Sequence, residues 1–283
     1  ITFIKKFPAI QDLAKAKEGL VLKTWQGLGY YSRARNLHHT AKFISKEMGG
    51  VFPNEFEFIK KLKGVGDYTA AAIASFAFNK PHAVVDGNVY RVLARYFGIK
   101  TAIDSGAGKI EFAKKANALI DKKNPGIFNQ AIMEFGALQC VPQNPDCNKC
   151  PLKSGCVAFK KNWVEKLPVK ESRTKVRVRH INYFVVRSSN NVLIKKRVGN
   201  DIWKNMYDFP LIESKKALTI KNISKLIGMK EEELALEFAT THILSHQKIV
   251  AKFWGGKLPA SKIKKITPNA FFSSKKSLSK YPL

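Results

Sequence analysis

All four cysteines of the chain, Cys140, Cys147, Cys150 and Cys156, fall in one short stretch with the spacing C-x6-C-x2-C-x5-C. Four thiols this close in sequence must converge on each other or on a metal. A large lysine-rich chain whose first residues lack a secretory pattern is expected in a reducing compartment, where disulfides are rare. Four thiolates are a metal-ligand set, and both zinc and an iron–sulfur cluster accept it. The spacing leaves that choice open. Such a site pins a loop and needs no part in chemistry, although the loop carries Lys149 and Lys153, cations suited to a polyanion.

At roughly 150 residues per domain, 283 residues predict two domains. Hydrophobic residues make up 45% of the chain, enough for packed cores, which excludes a disordered polybasic tail. No run approaches the roughly 18 uninterrupted apolar residues of a membrane helix. Lys and Arg number 50 against 21 Asp and Glu, a formal charge of +29. Nucleic acid is the expected partner, because lysines near phosphates release condensed counterions. An anionic membrane surface is the weaker alternative, since no long basic amphipathic helix stands out. A merely solvated lysine-rich surface is the plainest one.

Residues 1–158 read as helices joined by short turns. The runs 55–62, 68–78, 88–97, 109–120 and 128–138 have helical length. Asn54, after Pro53, is expected to cap the first of these. Val89, Val92, Leu93 and Tyr96 share one helical face, a stripe that must be buried. Residues 159–174 are mostly polar, contain Pro168 and lack a period, so they are expected to be a linker. Beyond it, 177–186, 191–195 and 248–254 read as strands and 218–236 as one or two helices, an α+β domain at 175–283.

Leu62-Lys63-Gly64-Val65-Gly66-Asp67 lies between two of the helices. Two glycines around an apolar residue allow a tight turn with bare amides, and amides at a helix mouth bind phosphate with help from the helix dipole. Alone, the segment is also an ordinary interhelical turn. Asp86 follows Val84-Val85 and opens the helix at 88–97. Alone, it is an ordinary N-cap.

Together these elements say more. The string LKGVGDYTAAAIASFAF, the later VVDGNVYRVLARYF and the cysteine loop at 140–156 resemble the helix-hairpin-helix, endonuclease III-like DNA glycosylases. With WQGLGYYSRARNL near the start, the chain resembles the MutY family within them. Residues Arg197, Trp203, Tyr207-Asp208-Phe209-Pro210 and 242–246 are similar to the Nudix-like second domain of that family. The resemblance covers nearly the whole chain. It implies an all-α glycosylase domain over 1–158 with an iron–sulfur loop, and a Nudix-like lesion-recognition domain over 175–283. It implies a 4Fe–4S cluster on Cys140, Cys147, Cys150 and Cys156. It implies a base-excision hydrolase that removes adenine paired with 8-oxoguanine or guanine from double-stranded DNA, working as a cytoplasmic monomer.

The same resemblance assigns residues. Asp86 is the expected catalytic carboxylate and Asn88 a polar neighbour that positions water or the sugar. Tyr68 stands where related lyases have a lysine whose amine forms a Schiff base, which implies hydrolysis without strand cleavage. Gly64, Val65 and Gly66 would grip a phosphate. Leu28 and Tyr30 would form the wedge that enters the base stack. Leu244, Ser245 and His246 would inspect the lesion, with leucine in place of the family's phenylalanine. Lys63 replaces the hairpin proline. No closely spaced glutamates of a Nudix box are present, so the second domain should recognise and not hydrolyse. The family's general-acid glutamate lies ahead of the segment matching Ile1, so the chain is expected to need a preceding segment for turnover, and without it to act as a DNA-binding fragment. A glycosylase-lyase of endonuclease III type is the other alternative.

Overall fold

The computed structural model describes residues 1–171, 176–244 and 246–283. The chain divides into two compact units, Val51–Arg173 and a second made of Ile1–Gly50 together with Thr174–Leu283. The sequence leads one to expect a single boundary, at 159–174; the compact units add another at residue 50.

In the second unit, the first fifty residues form four helices: α1 (Thr2–Lys6), α2 (Ile10–Lys15), α3 (Glu18–Thr24) and α4 (Tyr31–Glu47). Their packing closes over Leu13, Val21, Leu22, Ala34 and Ala41. His38 is 2% exposed and bonds the Ala16 carbonyl oxygen at 3.0 Å.

The Val51–Arg173 unit is helical: α5 (Phe56–Lys60), α6 (Asp67–Phe78), α7 (Gly87–Phe97), α8 (Gly106–Leu119), α9 (Pro125–Leu138) and α10 (Val157–Lys160). The expected helices are all present, shifted by a few residues at their ends. Asn54 caps nothing: the residue before α5 is Glu55, and no side chain caps that end. The apolar stripe of α7 is the centre of the core, with Val89 and Leu93 packed on Phe112, Ala116, Ala158 and Leu167. At roughly 25 cal/mol per Å² of apolar surface removed from water, such a stripe outweighs the modest propensity of a helix with three β-branched or aromatic residues in its first half.

The stretch expected as a linker is packed here as far as Val169. Trp163, Val164, Leu167 and Val169 all lie on the helical core. Their irregular spacing among lysines gave no period to read.

The remainder of the discontinuous unit is α+β. It contains β1 (Arg177–Phe184), β2 (Arg187–Ser188), β3 (Asn191–Lys196), β4 (Tyr207–Asp208), β5 (Leu211–Ser214), α11 (Ile220–Ile227), β6 (Leu234–Ile243), β7 (Gln247–Gly256), α12 (Ala260–Ile266) and β8 (Phe271–Ser274). One sheet has the order β5-β1-β7-β6, with β1 and β7 parallel and the outer pairs antiparallel. A second runs β2-β3-β4, with β8 paired to β3. Helices α11 and α12 cover one face through Ile223, Ile227 and Ile263 on Phe184 and Trp254. Of the one or two helices expected over 218–236, α11 is present, followed by a single 3-10 turn at Glu231–Glu233. Helix α11 ends at Gly228, and Leu234 starts a strand.

Candidate active site and nucleic-acid interface

Helices α5 and α6 are joined by the glycine turn. Leu62 is buried and Val65 packs beside Ile59 and Ala70, so the turn is anchored from beneath. Gly64 has φ 79°, a left-handed conformation that costs glycine nothing. Gly66 precedes α6, and no side chain caps that end. The first amide taken up inside the helix is that of Ala70, on the Gly66 carbonyl, and within the turn the Val65 N–H donates to the Leu62 carbonyl at 3.1 Å. The exposed turn therefore presents backbone N–H groups at the positive end of a twelve-residue helix, the arrangement that binds a phosphate. Tyr68, in the first turn, is 48% exposed and lies over nothing in the core.

Asp86 begins α7. Its Oδ1 accepts the backbone N–H groups of Asn88 and Val89, each at 2.8 Å. Its Oδ2 accepts the Asn88 side-chain amide at 3.0 Å. Asp86 is half-buried, and these bonds fix the direction of its carboxylate. The approach to it is also fixed. Asn129, fully buried, donates to Ser75 Oγ and to the His82 carbonyl, both at 2.9 Å, and accepts the Val84 N–H at 3.0 Å. Asn88 and Asp86 are thus brought together, and Asp86 is the N-cap of α7 that its place in the sequence suggests.

Two residues of α7 that the sequence reading passed over tie this end to the cysteine loop. Arg91, 8% exposed, donates to Asn88 Oδ1 at 2.9 Å, to the Gly136 carbonyl at 2.5 Å and to the Cys140 carbonyl at 2.6 Å. A Cβ on Gly136 would lie 2.8 Å from Asn88 Cβ, so only glycine lets α9 approach the start of α7 this closely. Arg95, 3% exposed, donates to the carbonyls of Val164, Leu167, Val141 and Pro142 at 2.8–3.1 Å. Their spacing puts both arginines on one side of α7, but their partners are main-chain carbonyls, which the sequence does not mark.

All four cysteines line one cavity, with Arg95 and Lys153 at its edge. Burial pushes the Cys147 thiol up, the other three thiols push the same way, and Arg95 opposes them. Among the described residues, no three His, Cys, Asp or Glu side chains are grouped to hold a metal ion. The two observations are compatible. A single zinc needs its sulfurs within about 2.3 Å of one point; a four-iron cluster takes one thiolate at each of four separated corners.

The discontinuous unit holds a second candidate surface. Leu28 and Tyr30 are 58% and 64% exposed, on a loop where Gly27, Gly29 and Tyr30 all have positive φ. Tyr30 and Tyr31 line a cavity of about 460 Å³ with Arg35, Asp201, Trp203, His242, Leu244 and His246. So Tyr30, Leu244 and His246 share one opening; Leu28 projects beside it; Ser245 lies outside the described residues. Arg35 and Asp201 were not anticipated. Burial alone would raise the Asp201 carboxyl, but hydrogen bonds from Arg179, the Ile202 N–H and Arg197 pull it down to about 2. The wall of this opening therefore carries a fixed negative charge locked against two arginines.

Residues 2–119 match the HhH-GPD superfamily of base excision DNA repair proteins, and residues 182–283 match the NUDIX domain family. The chain is 31% identical to a thermostable thymine-DNA glycosylase over 56% of its own length and 73% of that chain, with a TM-score of 0.52. A trapped endonuclease III–DNA covalent intermediate, an estranged-adenine complex, is 28% identical over the same shares, with a TM-score of 0.50. The hairpin, the carboxylate-capped α7 and the cysteine loop therefore define a helix-hairpin-helix base excision repair protein with a Nudix-like second domain.

Adenine DNA glycosylases are similar over more of the chain. That of Buchnera aphidicola subsp. Acyrthosiphon pisum is 35% identical over 86% of this chain and 69% of its own length. That of Buchnera aphidicola subsp. Schizaphis graminum is 38% identical over 75% and 61%. The Homo sapiens enzyme is 45% identical over 58% and 30%. The chain belongs to the MutY-like adenine DNA glycosylase family, and it spans about two thirds or less of the relatives it matches.

Proposed function

We propose that the protein hydrolyses the N-glycosidic bond of adenine mispaired with 8-oxoguanine or guanine in double-stranded DNA. The observation that carries this reading is the pairing of a directed carboxylate, Asp86, with a tyrosine at position 68 in place of an amine nucleophile. A base inside a duplex is out of reach, so the nucleotide must turn out into a pocket, at a cost of a few kcal/mol. Amides at Gly64–Gly66 grip the backbone, and Leu28 and Tyr30 fill the gap in the stack. Adenine leaves once a ring nitrogen has been protonated by a general acid. The sugar then gains oxocarbenium character, which Asp86 stabilises through space or by a transient bond, as carboxylates do in glycosidases. Asn88 orients the carboxylate and the incoming water. Leu244, Ser245 and His246 read the opposite base.

The four thiols fit a 4Fe–4S cluster by number, by donor chemistry and by facing one cavity. Such a group would pin 140–156 against Arg95 and would supply no step of the hydrolysis. The net charge of +29 suits a polyanionic partner, and among the described residues no helix is long and apolar enough to cross a membrane. The reading includes a monomer acting in the cytoplasm.

Excision by the whole protein from four duplexes tests it. Adenine opposite 8-oxoguanine and adenine opposite guanine should lose the base at least about tenfold faster than adenine opposite thymine, a difference of roughly 1.4 kcal/mol or more in barrier. Cytosine opposite guanine should be untouched. Equal rates on all adenine-containing duplexes, or release of a pyrimidine, would remove the proposed substrate class.

A further inference from the structure

Leu28 and Tyr30 project into solvent, so no core holds them in place. Their loop is nonetheless in a defined and unfavourable shape. Tyr30 has φ 47° and ψ 54°, a conformation that a bulky residue adopts only when its surroundings impose it. Arg33 lies against this turn. Its guanidinium carbon lies 5.4 Å from the centre of the Tyr30 ring and 5.7 Å from that of Trp25. Its Nη2 donates to the Leu28 carbonyl at 3.3 Å, and its backbone N–H donates to the Tyr30 carbonyl at 2.8 Å. Trp25 completes the frame: its Nε1–H donates to the Gly29 carbonyl at 3.1 Å, and its ring meets Phe3 edge-on at 5.2 Å. One planar cation therefore touches both projecting residues and the tryptophan that anchors them.

We propose that Arg33 is a positioning residue that sets Leu28 and Tyr30 in their inserting geometry before DNA arrives, and so widens the gap between mispaired and matched duplex affinity. This rests on the wedge role given above to Tyr30. A loop ordered in advance spends no binding energy on ordering itself. Lysine cannot replace the residue: it keeps the charge but lacks the plane that stacks on two rings and the fork that reaches a carbonyl. That separates a clamp from a plain phosphate contact, for which charge is enough.

The test uses the protein with Arg33→Lys, Arg33→Gln, Tyr30→Ala and the double variant Tyr30→Ala/Arg33→Lys. Affinity is measured for a duplex with adenine opposite 8-oxoguanine and for the matched duplex, over a salt series. Arg33→Lys should lower the mispaired-to-matched affinity ratio about tenfold, with matched affinity and salt slope unchanged. Tyr30→Ala should lower the ratio as much, and the double variant no further, because both act through one element. Three results overturn the proposal. Arg33→Lys matching the parent, while Arg33→Gln weakens both duplexes and flattens the salt slope by about one unit, would make Arg33 a phosphate contact. Losses of Tyr30→Ala and Arg33→Lys that multiply in the double variant would make them independent. An unchanged ratio in Tyr30→Ala would fail the wedge itself, and is recognisable as that because it does not involve Arg33.

Discussion

Asp86→Asn lowers the rate of adenine release by at least about 10³-fold, roughly 4 kcal/mol of barrier, while the protein still binds DNA and stays folded. The reason lies in what the substitution keeps. Asparagine is as good an N-cap as aspartate. Its carbonyl oxygen can still accept the Asn88 and Val89 amides that Oδ1 now accepts at 2.8 Å. Helix α7 therefore keeps its start, and with it the stripe of Val89, Val92 and Leu93. What is lost is the Oδ2 acceptor of the Asn88 side-chain amide and, with far larger effect on rate, a full negative charge beside a sugar that becomes positive in the transition state and is neutral before it. The effect belongs to turnover and not to ground-state binding. Single-turnover rates and Kd values for the same duplex separate the two. A variant that keeps more than about a tenth of the parental rate would take Asp86 out of the chemistry, since that is under 1.4 kcal/mol.

The second large effect is on stability. Arg95→Met is expected to cost about 4 kcal/mol, because it removes the one guanidinium that four carbonyls now share, that of Leu167 buried and the other three part-buried. Two of these, on Val164 and Leu167, hold the returning chain; the other two, on Val141 and Pro142, hold the cysteine loop. Both contacts fail together, so if the four thiols hold the proposed cluster, iron bound per chain should fall with the unfolding midpoint. Arg95→Lys should recover less than half of the loss, since one ammonium cannot face acceptors on both sides. Denaturant unfolding of the three proteins, with iron analysis, measures this. A loss under about 1 kcal/mol for Arg95→Met would show that the carbonyls find other partners.

These two residues also show where a sequence is readable and where it is not. Asp86 is legible because an N-cap has a local signature: an acidic residue, a break in the preceding helix and an apolar period after it. The glycine turn is legible for the same reason, since the left-handed backbone at Gly64 narrows the choice of residue. Arg91 and Arg95 are not legible, because their partners are main-chain carbonyls of Gly136, Cys140, Val141, Pro142, Val164 and Leu167. Every residue has such a carbonyl, so nothing in the sequence marks the ones that are used. Strand β6 was hidden differently. Nine of its ten residues are exposed, so the alternation that reveals a half-buried strand is missing. The packing of Trp163, Val164, Leu167 and Val169 escaped because four scattered apolar residues among lysines imitate a linker. The opening at Tyr30 was half visible. Tyr30, Leu244 and His246 come from the resemblance, but Arg35 and Asp201 join them only through the fold.

The central claim is that water, and not an amine of the protein, displaces adenine beside Asp86. The direct measurement is product analysis on a duplex with adenine opposite 8-oxoguanine, with and without borohydride. Free adenine, an uncut strand bearing an abasic site and no protein–DNA adduct are the predicted result. A borohydride-trapped adduct, or strand cleavage in step with base release, would contradict it.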